Sequence, residues 1–172
     1  MNRLLPWPHR EPIAPSASRT DYAGALYGSL LAASVIATAG AVGAYPRLQL
    51  VVLLLVTGLV FWAAHVYSQL AGERLVGRGL SWTEARQVGR HEWPIVEAAV
   101  LPAAVVALSP LVGLGVSGAA WLALAVAVAQ QVAWAYVGAR HAGASRNQAG
   151  VEGMVNLVLG LVIVAAKGAL GH

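Results

Sequence analysis

Of the polar side chains within, or at the mouth of, the long apolar stretches of this chain, six could carry chemistry: His65, Glu97, Gln130, Gln131, Asn156 and Glu152. In hydrocarbon such groups need partners, because an unpaired charge at mid-helix costs about 2.5–3.5 kcal/mol on insertion scales. A histidine and a carboxylate at similar depth can hold or relay one proton. His65 lies in the second stretch and Glu97 in the third, so antiparallel neighbours would bring them level, each about 5–10 Å inside one hydrocarbon edge. His65 shares a helical stripe with Gly58, Trp62, Gln69 and Gly72, while Glu97 falls one turn after Pro94, near the positive end of a helix dipole. Glu152 and Asn156 are four residues apart and share a face. The functional expectation is a polar pocket for moving a proton or cation, or for binding a small polar ligand. The structural alternative is that these groups reach the interface or tie helices together.

The elements that must position them are helices in lipid. Hydrophobic residues make up 58% of the 172, charged residues only 10%, and the mean hydropathy is +0.67. Soluble domains carry about 25% charged residues, which excludes an ordinary aqueous globule. Apolar spans run over about 22–44, 48–71, 94–111, 119–139 and 151–170. Each is close to the ~20 residues that cross ~30 Å of hydrocarbon. The expected fold is therefore all-α, an integral membrane helical bundle with five transmembrane helices in one domain, 22–172. A flexible cytoplasmic tail, 1–21, with four prolines and three arginines, precedes it. Pro102 and Pro110 interrupt the third span, which is read as kinked; a re-entrant hairpin of spans three and four is the alternative.

Charge gives direction. With the N-terminus inside, nine arginines (3, 10, 19, 74, 78, 86, 90, 140 and 146) face the cytoplasm, and only Arg47 and Lys167 lie outside. The positive-inside rule then places the C-terminus outside a cell (inner or plasma) membrane. The long cytoplasmic loop 72–93 holds Ser81-Trp82-Thr83-Glu84, a capping box that predicts a short helix in the headgroup layer, with Trp82, Ala85 and Val88 on one side and the arginines elsewhere. Arg86, Arg90 and Arg140 are the candidates for a lipid headgroup; snorkelling anchors are the plainer reading. Membrane lipid is the expected partner. The net charge of +4 does not imply nucleic acid, because the arginines flank apolar spans and form no basic stripe with interleaved aromatics.

Small residues recur every fourth position in span four (Ala119, Ala123, Ala127, Ala135, Ala139), with Gln131 in the remaining slot, and Gly24 and Gly28 open span one. Such faces allow close packing within the chain, against a second copy, or against another membrane protein. Trp93, Trp121, Trp134, Tyr136 and Tyr45 stand near span ends as interfacial anchors. Catalytic signatures are missing. There is no cysteine, no H-x-x-x-H or E-x-x-H spacing for a metal, no phosphate loop and no nucleophile elbow. No catalytic residue, metal site or cofactor is assigned, and an enzyme is the less favoured class.

Two segments, Phe61-Trp62-Ala63-Ala64-His65-Val66-Tyr67 and Glu92-Trp93-Pro94-Ile95-Val96-Glu97-Ala98-Ala99-Val100-Leu101-Pro102, resemble small multi-pass proteins of bacterial genomes that carry no assigned activity. The resemblance implies an integral membrane bundle and no catalytic residues. Three function classes follow: a small proton or cation channel or transporter-like protein with a cytoplasm-facing pocket; a structural or accessory subunit of a membrane complex; and a lipid-processing enzyme using Arg140 or Arg90 for the headgroup and His65 as base.

Overall fold

A computed structural model describes residues 17–41, 46–75 and 81–170. The described residues are almost wholly helical, with no strand. The elements are α1 (Ala17–Ala41), α2 (Arg47–Leu75), α3 (Trp82–His91), α4 (Pro94–Leu108), a 3-10 turn (Ser109–Val112), α5 (Val116–His141) and α6 (Arg146–Leu170). All but α3 belong to segments long and apolar enough to cross a membrane, α4 together with its 3-10 turn.

The helices outrun the apolar windows that announce them. α1 already begins at Ala17, inside the expected tail, whose residues 1–16 lie outside the described residues. α5 starts three residues early at Val116, and α6 five residues early at Arg146. The cause at α6 is local. Ser145 accepts from the Gln148 amide at 3.2 Å, and the Gln148 side chain accepts from the Ser145 amide at 2.9 Å, a capping box on a polar first turn. Between α4 and α5 the chain reverses at Gly113, whose φ of +72° is left-handed and costs glycine nothing.

α1, α4 and α5 form the interior. Half of α1's span is buried, against 17% of α2's and 22% of α6's. α2 flanks the interior on α4, and α6 flanks it on α5. Both flanking helices turn rows of valine and leucine outward, from Val52 to Phe61 on α2 and from Met154 to Val162 on α6. Water would not tolerate faces of that size on a monomer, and lipid does. The chain is thus a multi-pass membrane protein by fold and surface.

Small side chains make the interior. Ala32, Ala33, Ala103, Ala120, Ala123 and Ala127 pack with Ile36, Leu50, Leu54, Val106, Leu124 and Val128. The expected row on α5 is buried from Ala119 through Ala135, with Gln131 in it. Its partners are helices of this chain. Gly28 brings α1 against α4 so closely that a Cβ there would sit 2.6 Å from the Ile95 carbonyl oxygen and 2.8 Å from Ala98 Cβ.

Side-chain contacts show which helix ends lie together. Tyr22, at the start of α1, stacks on His141, at the end of α5, with ring centroids 5.1 Å apart. At the opposite end Lys167 reaches from α6 to the Ile36 carbonyl at 3.2 Å, its ammonium 5.4 Å from the Trp121 ring centroid, and Arg47 donates to the Leu114 carbonyl. The two cations expected on that side are therefore drawn into the protein. Arg86, Arg90, Arg140 and Arg146 are all exposed or part-exposed at the first end, which we call the basic end. Tyr45 lies outside the described residues.

Candidate functional site

The predicted capping box forms. Ser81 Oγ accepts from the Thr83 amide at 3.2 Å, and Glu84 returns to the Ser81 amide at 3.2 Å. It starts α3, which lies against α2. Gly89 is the reason for the close approach: it is buried, and a Cβ there would come within 3.3 Å of the Trp62 ring. Trp62 Nε1 donates to the Gly89 carbonyl at 2.8 Å, and Trp93 stands edge-on to Trp62 at 5.6 Å. This anchoring sets the rotation of α3. Arg86 and Arg90 line the same groove as Trp82, which corrects the expected separation of the arginines from that side: at spacings of four and eight the three residues share a helical stripe, and Val88 is outside the groove. The groove has a volume of about 890 Å³ and is walled by Trp62 and Val66 of α2, by Trp82, Ala85, Arg86, Gly89 and Arg90 of α3, and by Trp93. Trp82 is 85% exposed, so its ring projects beyond the protein into whatever surrounds it.

Beside the groove, His65 meets Glu92, not Glu97. His65 Nε2 lies 3.6 Å from Glu92 Oε2, with the histidine side chain 43% exposed and the glutamate 3%. Tyr27 of α1 flanks the imidazole at 6.2 Å. Glu92 sits in the turn between α3 and α4, its amide bonded to the Val88 carbonyl at 3.0 Å. By sequence it falls within the loop 72–93. Five residues of helix correspond to about 7.5 Å of rise, enough to decide which carboxylate is level with His65.

The remaining polar groups form two further sites. Glu97 is exposed and lines a cavity of about 350 Å³ with Tyr22, Pro94, Gln130 and Trp134. Gln130 Nε2 donates to the Ala98 carbonyl at 3.2 Å. Gln131, fully buried, donates from Nε2 to the Asn156 carbonyl and to Asn156 Oδ1, both at 3.2 Å, and Asn156 Nδ2 donates to the Glu152 carbonyl at 2.9 Å. This is a tie between α5 and α6. Glu152 contributes its backbone to that tie, and its own residue is exposed. Arg140 is spent locally, Nη1 donating to the Ala144 carbonyl at 2.6 Å in the α5–α6 turn. The six candidates thus separate into a His–Glu pair, a carboxylate cavity and an interhelical amide tie.

Gln131→Leu should cost only about 1 kcal/mol, because interhelical polar contacts in membranes average about 0.6 kcal/mol and Gln131 Oε1 has no hydrogen-bond partner among the described residues to lose. Reversible unfolding in mixed micelles measures it, and a loss several times larger would show the amide tie to be the main α5–α6 contact.

Compared with protein families, with curated proteins and with solved structures, the chain matches none.

Proposed function

We propose that this multi-pass protein binds anionic lipid at its basic end, with the headgroup held by Arg86 and Arg90 and the upper acyl region against Trp62, Trp82 and Trp93. The observation that supports this most is the groove itself. Two guanidinium groups four residues apart on α3 can bind a phosphate through paired N–H donors. Three indoles beside them offer apolar bodies with polar edges, the composition suited to the headgroup boundary. α3 is strongly amphipathic and lies at the ends of α2 and α4, where an interfacial helix belongs. The positive-inside rule orients this end to the cytoplasm, with the C-terminus outside.

A path for protons or cations across the bundle has weaker support. Beyond the basic end the core cluster is alanine, isoleucine, leucine and valine, and the buried polar groups there, Ser109 and Lys167, are each bonded to a backbone carbonyl of the protein, which favours a site open on one side. His65 and Glu92 then position the α2–α4 end of the groove through Trp62 and Trp93, their neighbours in sequence.

The test is lipid retention in nanodiscs by native mass spectrometry. Each basic residue near an anionic surface contributes about 1 kcal/mol, so Arg86→Ala with Arg90→Ala should weaken phosphatidylglycerol retention about 30-fold. Trp82→Ala should also weaken it, with no change of charge. If Trp82→Ala is silent and removing Arg140 and Arg146 has the same effect as removing Arg86 and Arg90, the groove is no more than basic surface.

A further inference from the structure

The cavity around Glu97 is separate from the lipid groove and shares no wall residue with it. It opens among the first turns of α1 and α4 and the last third of α5. Among the described residues Glu97 supplies its only charged side chain. No basic group pairs with that carboxylate among the described residues; their one ion pair joins His65 and Glu92. Two aromatic walls face the same space. Tyr22 and Trp134 have ring centroids 5.8 Å apart and planes inclined at 51°, which makes a corner and not a stack. Two further polar atoms are buried without a hydrogen-bond partner among the described residues: Gln130 Oε1, an acceptor, and Trp134 Nε1, a donor. Gln130 is held by its bond to the Ala98 carbonyl, so its orientation is set before anything enters.

These features ask for one kind of guest. A carboxylate and an amide oxygen attract a cation. Aromatic faces meeting at an angle favour a soft, bulky cation over a small hydrated one, because the ring quadrupole attracts the charge and the rings pack against its methyl or methylene groups. The indole N–H needs an acceptor on the same guest. The volume of about 350 Å³ is enough for a small organic ion. We propose that this cavity binds an organic ammonium group carried by a ligand with a neighbouring oxygen, as in an amino alcohol or its ester. Such a group can come from a free solute or from the headgroup of a choline or ethanolamine lipid.

Choline is the probe. Titration of the full-length protein in an uncharged detergent, followed by calorimetry and tryptophan fluorescence, should show saturable binding. The neutral isostere, with carbon in place of the nitrogen, should not bind. Glu97→Gln should weaken choline binding by about tenfold or more, since an ion pair with a partly desolvated cation is removed together with its charge-assisted contact. Glu97 is exposed, so this variant keeps its fold. Glu152→Gln makes the same charge change at the same end but outside the cavity, and should leave binding as it was. Trp134→Phe keeps an aromatic wall and loses the donor. It should reduce the preference for choline over tetramethylammonium. Nanodiscs identify the source: competition by phosphatidylcholine, absent with phosphatidylglycerol, assigns the site to a lipid headgroup, and undiminished binding in both assigns it to a free solute. Absence of saturable binding by the wild-type protein, or equal binding by Glu97→Gln, overturns the inference.

Discussion

Gly28→Ala should cost about 3 kcal/mol, the upper end of what over-packing a core exacts. The added methyl group would stand 2.6 Å from the Ile95 carbonyl oxygen and 2.8 Å from Ala98 Cβ. The first is a backbone atom and the second has no rotamer to change. Relief therefore requires α1 to move away from α4, and both belong to the interior. Gly160→Ala is the matched comparison. There the new Cβ meets Val128 Cγ1 at 2.5 Å, Cγ2 at 3.1 Å and Cβ at 3.3 Å, and a buried β-branched side chain on a helix has no second rotamer that clears all three, so the cost should also reach about 2–3 kcal/mol, here by parting α5 from α6. Gly150→Ala meets nothing within 4 Å and should be neutral or stabilising by up to about 1 kcal/mol, the helix-propensity difference. Unfolding of the three variants in mixed micelles gives the ranking. A Gly28→Ala cost no larger than that of Gly150→Ala would mean that the α1–α4 spacing described above is wrong.

His65→Ala should be the second large loss, about 2–3 kcal/mol. At a pH where the imidazole is protonated, the substitution removes the ion-pair partner of Glu92, a carboxylate whose side chain is only 3% exposed. Breaking a fully buried pair costs about 3–5 kcal/mol, and the half-exposed position of His65 lets solvent take up part of that. The diagnostic result is the double variant. Glu92→Gln in the His65→Ala background removes the stranded charge, so it should restore at least half of what was lost. In the wild-type background the same substitution should destabilise. A double-mutant cycle reads this directly as a coupling energy. Additive effects would show that the two groups are neighbours without being partners. His65→Ala should also loosen α3, because the pair lies beside Trp62 and Trp93, and this can be followed by amide exchange at Gly89.

How much of this was legible in sequence depends on the range of the interaction that decides it. The five spans are written as apolar windows between arginine clusters, and lipid demands no knowledge of partners to recognise them. The Ser81–Glu84 cap is equally local, and it forms as read. The Ser145–Gln148 cap carries the same kind of signal, but reading α6 from its apolar residues alone hid a polar first turn. The candidate site was harder. The residues near it were identified, but their grouping was not, because the register of α2 against the α3–α4 turn decides whether His65 meets Glu92 or Glu97. The seating of α3 on α2 depends on Gly89 admitting the Trp62 ring, a contact across 27 residues. Lys167 counts in sequence as an outer-side charge at the end of the fifth span, and in the fold it bonds a carbonyl 131 residues away. None of these facts has a periodicity to betray it.

The alanine-built interior has a thermodynamic side. Alanine surrenders essentially no side-chain freedom when it is immobilised, whereas leucine or isoleucine gives up about 0.5–1 kcal/mol each. α1, α4 and α5 can therefore dock at short range with little rotamer entropy set against them, and they keep few soft side chains that could rearrange when a guest arrives. Shape change in such a molecule has to be concentrated in its periphery. The short amphipathic α3, which rests on α2 at the Trp62–Gly89 contact, is the part whose tilt a bound guest could reset while the three inner helices stay as a rigid block.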